Sequence, residues 1–131
     1  MISRIDVYKF NIELTHPTVV PIGVLDSANN VLVRIRTDTG IQGWGEASPF
    51  APITGDCQGS NFEFARVFGR TIVGRSPLAV EALTHELRAI NAGEPSLLSA
   101  FDIAIYDILG QAAGLPLYAL LGGERRNLRT D

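Results

Sequence analysis

The sequence predicts an α+β domain in which a three-stranded antiparallel meander precedes a bundle of helices. Apolar side chains alternate with a period of two up to residue 47, and from residue 60 onward they recur every three or four residues. Strands grouped ahead of the helices are typical of an α+β fold rather than of an alternating parallel α/β fold. The length of 131 residues fits one domain, and 46% hydrophobic with 19% charged residues excludes disorder of the whole chain.

The first predicted strand changes the phase of its apolar side chains. Ile5 and Val7 alternate with charged residues, whereas the apolar alternation resumes at Tyr8 on the opposite phase and continues to Leu14. A change of phase inside one period-two run predicts a β-bulge or a bend near Val7 and Tyr8.

The second and third strands are predicted to form a hairpin. Alternation over residues 31–36 indicates a half-buried strand, residues 37–40 carry turn chemistry, and residues 41–47 continue as a strand. Gly43 and Gly45 weaken the strand propensity of the third strand, which is typical of a close backbone approach or a bulge.

Capping signals predict where the first two helices begin. Ser60 and Glu63 fit a capping box with Ser60 as the N-cap residue, and this helix is expected to end at Gly74. Ser76 followed by proline predicts the start of a second helix, which Gly93 is expected to close.

The third helix is predicted over residues 95–113, with Gly114 just beyond its end. Apolar side chains extend almost all round this helix, which predicts that it is the most buried of the three. A short helical turn is expected to begin within residues 115–118 and to end at the glycines 122–123.

Two long connections are predicted to leave the small sheet, over residues 15–30 and 48–59. Connections of about 12 or more residues in a compact domain are usually functional or mobile. We therefore expect function to concentrate in these two segments.

Composition excludes several classes of function. Eleven basic against fourteen acidic side chains give a net charge of -3, which argues against a nucleic-acid partner. No stretch approaches the roughly 18 apolar residues of a membrane span, and residues 1–6 lack the apolar run of a signal peptide. The single cysteine can form neither an internal disulfide nor a thiolate zinc site, so a reducing cytoplasm is the expected location.

A nucleophilic site is not predicted. Cys57 could be imagined beside His16 or His85, but His85 shares a polar helical stripe with charged residues and His16 stands beside a proline at the start of a connection. Two histidines so far apart, without a cluster of partners, also do not predict a metal site.

Three carboxylates are predicted to have structural roles. Glu46 follows a glycine-rich strand and could act as a general base or metal ligand, although a structural role is favoured, with a hydrogen bond to neighbouring main chain or an ion pair with an arginine. Asp102 and Asp107 lie about 140° apart around their helix, so they do not form a catalytic pair. Each is expected to anchor to an arginine or to loop amides.

Two stretches of the sequence resemble a known family. Residues 40–49, and residues 99–107 with their continuation over 114–123, resemble the N-terminal capping domain of the enolase superfamily, in the mandelate racemase and muconate lactonizing enzyme branch. Residues 28–31 and 53–56 resemble the dipeptide epimerases within that branch.

The resemblance implies a capping domain over residues 1–123, followed by a linker over residues 124–131 that leads to a (β/α)₈ barrel absent from this chain. In such enzymes lysines of the barrel abstract the proton α to a carboxylate, and Mg²⁺ held by three barrel carboxylates stabilises the enediolate. We therefore expect no catalytic and no metal-binding residue in this chain, and no activity from the chain alone.

The resemblance also implies that two loops, at residues 16–27 and 48–56, close over the barrel mouth and shape the substrate pocket. Simple local packing is the alternative role for these side chains. The lid residues expected from the resemblance are Ile22, Gly23, Val24, Leu25, Asp26, Phe50, Ile53 and Thr54.

The expected function is the capping and specificity domain of a dipeptide epimerase-like isomerase. Between Lys9 and Arg34 there is no lysine or arginine, and Gly23 stands where the resemblance places an arginine in glutamate-selective relatives. A hydrophobic dipeptide side chain is therefore expected, with a cationic one second because of Asp26. The alternatives are the cap of a muconate cycloisomerase or N-acylamino acid racemase, and an independent interaction module; a homo-oligomer is compatible with each.

Overall fold

A three-stranded antiparallel sheet in the order β1-β2-β3 forms one layer of the protein, and helices pack against one of its faces. The computed structural model describes residues 1–21 and 23–129. The strands are β1 (Ile2–Val20), β2 (Gly23–Thr37) and β3 (Gln42–Ala47), and the helices are α1 (Ala51–Thr54), α2 (Gln58–Ile72), α3 (Val80–Ile90), α4 (Pro95–Ala113) and α5 (Leu117–Leu120). The predicted α+β order, with the meander ahead of the helices, is confirmed.

The predicted bulge at Val7 and Tyr8 is wrong. The β1–β2 register runs without interruption from Arg4 opposite Arg36 to Glu13 opposite Ser27, and its shifts lie on either side of that stretch. The phase changes because both faces of β1 carry apolar side chains: Ile5 and Val7 pack towards the core, whereas Tyr8 on the other face is 40% exposed.

The long connection predicted over residues 15–30 is also wrong, because β1 and β2 extend into one long hairpin. Thr18 pairs with Leu25 and Val19 with Val24, beyond an irregularity that follows Glu13. Threonine and valine are frequent on this part of β1, and β-branched residues favour a pleated strand.

Two helix starts differ from the prediction. Helix α2 begins three residues earlier than expected, with Cys57 as N-cap, and the Ser60 hydroxyl oxygen accepts the Cys57 N–H at 3.2 Å. Ser76 opens a turn rather than a helix, and α3 begins at Val80. Gly93 does not close α3, which ends at Ile90; its N–H instead donates to the Asn91 side chain at 2.8 Å.

Helix α4 has the predicted bounds, with Gly114 in the left-handed conformation at φ 65°. The two glycines of β3 confirm the expected close approach: a Cβ at Gly43 would overlap the Ala104 carbonyl, and one at Gly45 would overlap that of Ala100. The sheet and α4 therefore share a tight core, in which the largest fully buried side chains include Phe68, Phe101 and Ile35.

Short helices occupy the remaining segments. Helix α5 confirms the expected turn near residues 115–118, whereas α1 lies inside the second predicted connection and was not expected. Within the described part of the chain, no helix combines the length and the apolar character needed to cross a membrane.

Candidate functional site

One end of the sheet carries a cleft between the β1–β2 hairpin and the segment that follows β3. The cleft has a volume of about 660 Å³. Leu14 and residues 24–30 line it from the hairpin, and residues 48–52 and 57–59 line it from the opposite side. The two segments that the sequence analysis singled out therefore meet at one place, although the first is a hairpin and not a loop.

The hairpin contributes three of the expected lid residues to this cleft. Val24 is 63% exposed, Leu25 is half-buried, and the exposed Asp26 accepts a hydrogen bond from the neighbouring serine hydroxyl at 2.9 Å. Gly23, at φ 150°, does not line the cleft. Ile22, also expected in the lid, lies outside the described residues.

The segment after β3 contributes Phe50, which is half-buried in the cleft. Ile53 and Thr54 belong to α1 and do not line it; Ile53 is 73% exposed. The Thr54 hydroxyl oxygen accepts the Phe50 N–H at 2.9 Å. The structure thus groups Val24, Leu25, Asp26 and Phe50, and leaves Gly23, Ile53 and Thr54 outside the lining.

Two polar residues that the sequence analysis missed also line the cleft. Gln58 donates a hydrogen bond to the main-chain oxygen of Asn30 at 2.8 Å, and the Asn30 amide donates to the Glu46 carboxylate. Glu46 therefore makes a structural hydrogen bond, as favoured from the sequence, but its partner is an amide side chain and not the expected main chain or arginine. The contact between Gln58 and Asn30 spans 28 positions, so no local pattern could have revealed it.

A buried polar network fixes the segment after β3 to the helices. Asp56 is 3% exposed and accepts the Ser96 N–H at 2.9 Å, the Ser96 hydroxyl at 3.0 Å and the Asn61 amide at 3.0 Å. The same Asn61 amide donates to Glu94 at 2.6 Å, and Ser60 donates to Glu94 at 2.9 Å. One wall of the cleft is thereby tied to the N-terminal ends of α2 and α4.

The network keeps Asp56 ionised. Burial alone would raise the pKa of this carboxyl, but hydrogen bonds from Thr54, Asn61 and Ser96 outweigh it and hold the pKa below its ordinary value. The carboxylate is thus stabilised as an acceptor, which suits an anchor rather than a proton donor.

The Cys57 thiol has a lowered pKa but no histidine partner among the described residues. Hydrogen bonding with the N–H and side chain of Ser60 and with the Gly59 N–H lowers the pKa of the exposed thiol. Among the described residues, the thiol makes no hydrogen bond to His16 or His85. Its position at the N-terminus of α2 accounts for the lowered pKa without a catalytic partner.

The residues present do not fit a Mg²⁺ site. In the stretches 1–21 and 23–129 there is no group of three or more His, Cys, Asp or Glu side chains able to hold a metal ion. Both oxygens of the Asp56 carboxylate and one oxygen of Glu94 already accept hydrogen bonds from the protein. No step of a reaction is therefore assigned to a metal on this chain.

The two aspartates of α4 join it to neighbouring elements, but among the described residues neither makes the expected bond to an arginine or to a loop amide. Asp107 accepts the main-chain N–H of Trp44 at 2.9 Å, which fixes α4 against β3. Asp102 accepts the Thr84 hydroxyl at 3.3 Å, which joins α4 to α3.

The fold and cleft together define a class of protein: a small α+β cap with a shaped, partly apolar cleft at one end of its sheet. Residues 4–122 match the family described as the mandelate racemase / muconate lactonizing enzyme, N-terminal domain. The chain belongs to this family.

Similar proteins include dipeptide epimerases of two bacteria. The chain is 36% identical to the hydrophobic dipeptide epimerase of Enterococcus faecalis, covering 99% of this chain and 37% of the relative. It is 37% identical to the L-Ala-D/L-Glu epimerase of Bacillus subtilis, covering 99% of this chain and 36% of the relative. The chain thus spans about a third of the length of the curated relatives that it matches.

A solved structure is also similar, namely the dipeptide epimerase from Cytophaga hutchinsonii complexed with Mg and the dipeptide D-Ala-L-Val. The TM-score is 0.93 at 39% sequence identity, and the match covers 96% of this chain and 34% of that chain. The fold and the family expected from the sequence are confirmed.

Proposed function

We propose that this chain is the capping and specificity domain of a dipeptide epimerase-like isomerase. Two features of the chain together support the proposal. Its fold is similar to that of the Cytophaga hutchinsonii dipeptide epimerase, with a TM-score of 0.93, and both expected lid segments line its cleft. Residues 1–123 are the cap, and residues 124–131 lead to a (β/α)₈ barrel that supplies the catalytic lysines and binds Mg²⁺. The compartment proposed is the cytoplasm.

In this proposal the chain shapes the substrate pocket and excludes water. Val24, Leu25 and Phe50 present apolar surface to the cleft, while the Asp56 network holds one wall in place. Closing a lid over the barrel mouth lowers the local dielectric and positions the substrate for proton abstraction. Chemistry at the α-carbon belongs to the barrel, so the chain alone is expected to be inactive.

The cleft favours a hydrophobic dipeptide side chain. No lysine or arginine is among the residues that line it, and burying a glutamate carboxylate without a cation is unfavourable. A methylene-sized fit against Val24 and Leu25 is worth roughly 1–3 kcal/mol. Asp26, exposed at the rim, makes a cationic side chain the second preference.

The experiment is to join the cap to a dipeptide epimerase barrel and to compare kcat/KM for Ala-Leu, Ala-Lys and Ala-Glu. We expect Ala-Leu to be the best substrate and Ala-Glu the poorest. Ala-Glu as the best substrate would contradict the specificity assignment, unless the barrel were shown to supply the cation.

Arginine substitutions test the same assignment. Gly23→Arg is expected to raise activity on Ala-Glu relative to Ala-Leu. Because the φ of 150° at this position strains any side chain, Gly23→Ala is the control for the effect of strain alone. Val24→Arg adds the charge on the cleft wall itself, at a position without that strain. An unchanged Ala-Glu to Ala-Leu ratio in both arginine variants would count against the lid assignment.

A cap of a muconate cycloisomerase or N-acylamino acid racemase remains the second candidate, because the family match covers the whole branch. Incubation with dipeptides in deuterated water separates the candidates when the cap is joined to its own barrel, because a dipeptide epimerase barrel would bring its own substrate preference. Exchange of the α-proton is expected only if dipeptides are substrates.

A further inference from the structure

The outer edge of β1 borders a groove that the proposed function does not use. β1 is an edge strand, and the groove between this edge and α2 has a volume of about 790 Å³. Six consecutive residues, Ser3 to Tyr8, line it from the strand. A groove on a sheet face would be lined by alternate residues, because side chains alternate between the faces. This groove therefore runs along the main chain of the strand.

The first residue of this edge already forms main-chain hydrogen bonds with the segment that follows α2. The Ile2 N–H donates to the Arg75 carbonyl at 2.8 Å, and the Ile2 carbonyl accepts the Gly74 N–H at 2.8 Å. After Ile2, β1 forms strand pairing with β2 and with no other strand of the described residues 1–21 and 23–129. An edge strand with unpaired main-chain donors and acceptors is a template for a further strand.

Helix α2 gives the groove an apolar floor. Phe62, Ala65 and Gly69 face the groove from the helix, and Val73 faces it from just beyond the helix end. A Cβ at Gly69 would lie 3.2 Å from the Ile5 Cβ, so the absence of a side chain lets α2 lie directly against β1. An added strand would turn alternate side chains towards this floor.

The groove has an excess of positive charge. Arg4, Arg66 and Arg70 line it together with a single carboxylate, Asp6. Asp6 is buried and is already bound by Arg4 at 2.6 Å and by two arginines of β2 at 2.8 Å each, so its single negative charge is shared among three cations. Arg4 is 69% exposed, and Arg66, 3.9 Å from Glu63, is 58% exposed. The charge favours an acidic occupant.

A second copy of the chain does not fit this groove through symmetric pairing of the two β1 edges. Paired strands lie about 4.8 Å apart, whereas packed helices need about 8–10 Å between their axes. Each β1 would bring its own α2, held above it by the contact between Gly69 and Ile5. The two helices would collide, whereas a bare extended peptide brings no helix.

We propose that the groove between β1 and α2 binds an extended peptide strand that carries acidic side chains. The peptide adds to the β1 edge over Ser3 to Tyr8, places apolar residues on the α2 floor, and pairs its carboxylates with Arg4, Arg66 and Arg70. Main-chain hydrogen bonds supply affinity and the alternating side chains supply specificity, as in other cases of β-strand addition.

The test uses the whole chain and three fluorescein-labelled hexapeptides. The first alternates glutamate with valine, the second alternates lysine with valine, and the third repeats the first with alternate amides N-methylated. We expect the glutamate–valine peptide to bind at least about tenfold more tightly than either of the others. Its binding should weaken between about 0.05 M and 0.3 M salt, and it should protect the amides of residues 3–8 from hydrogen exchange.

A charge-reversal variant and a matched control complete the test. Arg66→Glu with Arg70→Glu is expected to weaken the glutamate–valine peptide at least about tenfold and to favour the lysine–valine peptide. Arg88→Glu, a single reversal at an exposed position of α3, should change neither. Circular dichroism establishes that each variant is folded.

Four results would overturn the proposal. They are equal binding of the lysine–valine peptide, unchanged binding by the double variant, no saturable binding up to about 1 mM peptide, and a dimer of the chain that protects the same edge amides. The last result would assign the edge to a second copy.

Discussion

Gly43 and Gly45 determine how closely α4 lies on the sheet. At either position a Cβ would overlap a main-chain carbonyl of α4, so the helix would have to move outward. Gly45→Ala is expected to reduce the free energy of unfolding by about 1–3 kcal/mol, the usual penalty for overpacking a core. Chemical denaturation measures the change.

The control for that substitution is Gly59→Ala in α2. A Cβ at Gly59 would lie 3.8 Å from the Cys57 sulfur, which is an ordinary contact. Alanine favours helix, so this variant should match the parent or exceed it by up to about 1 kcal/mol. Equal effects at Gly45 and Gly59 would show that the close approach has no consequence for stability.

Asp6 makes the folding stability of the protein depend on pH in the acidic range. Burial alone would raise the pKa of this carboxyl, but hydrogen bonds from Arg34, Arg36 and Arg4 outweigh it, and the pKa lies below its usual 3.8. A carboxyl with a lowered pKa in the folded state contributes stability above the unfolded pKa of about 3.9, and that stability is lost as the pH falls through the folded pKa.

Asp6→Asn should therefore be less stable than the parent at pH 7 and should depend less on pH below about 4. Urea denaturation at a series of pH values measures both effects. Asp56 also has a lowered pKa and remains in the variant, so part of the dependence on acid should persist. A variant whose stability falls with pH as steeply as that of the parent would contradict the role of Asp6.

At the scale of the elements, the segment between β3 and α2 is held by one carboxylate. Asp56→Ala removes the hydrogen bonds from Thr54, Asn61 and Ser96 and leaves the Ser96 N–H without its partner. We expect a loss of about 1–3 kcal/mol and faster amide hydrogen exchange over residues 48–57. Asp26→Ala is the control, since Asp26 is exposed and should leave that exchange unchanged.

The elements also show what sequence could and could not predict. Helix α4 was predicted to the residue because Pro95 and the left-handed Gly114 mark its ends chemically. The starts of α2 and α3 were predicted wrongly, because Ser60 and Ser76 both have the side-chain chemistry of an N-cap residue. Neither serine is the N-cap in the structure, and the position of Ser60 depends on a distant partner, because it donates to Glu94, which lies 34 positions away.

The candidate site, like the helices, could be predicted from the sequence only in part. Its two segments could be located from their length, and a family resemblance assigned lid residues to them. The extended hairpin could not be predicted, because pairing of Thr18 with Leu25 depends on register and not on local propensity. Gln58 and Asn30 were missed because polar residues gain their role only when the fold joins them.

For the whole molecule, exposed apolar side chains predict self-association of the chain on its own. Leu121 is 63% exposed, Leu115 50% and Tyr118 44%, all near α5. Contiguous apolar patches commonly mark interfaces. Sedimentation velocity is expected to show larger species at high concentration, and Leu121→Glu should reduce them. A monodisperse parent at high concentration would contradict this expectation.

The proposal that this chain is the cap of a dipeptide epimerase is tested most directly by α-proton exchange in deuterated water. The cap is joined through residues 124–131 to the barrel of the Cytophaga hutchinsonii dipeptide epimerase, and exchange at the dipeptide α-carbon is followed by NMR. We expect exchange from the joined enzyme and none above background from the cap alone or from the barrel alone. Exchange by the cap alone, or a folded joined enzyme that exchanges no dipeptide proton, would contradict the account.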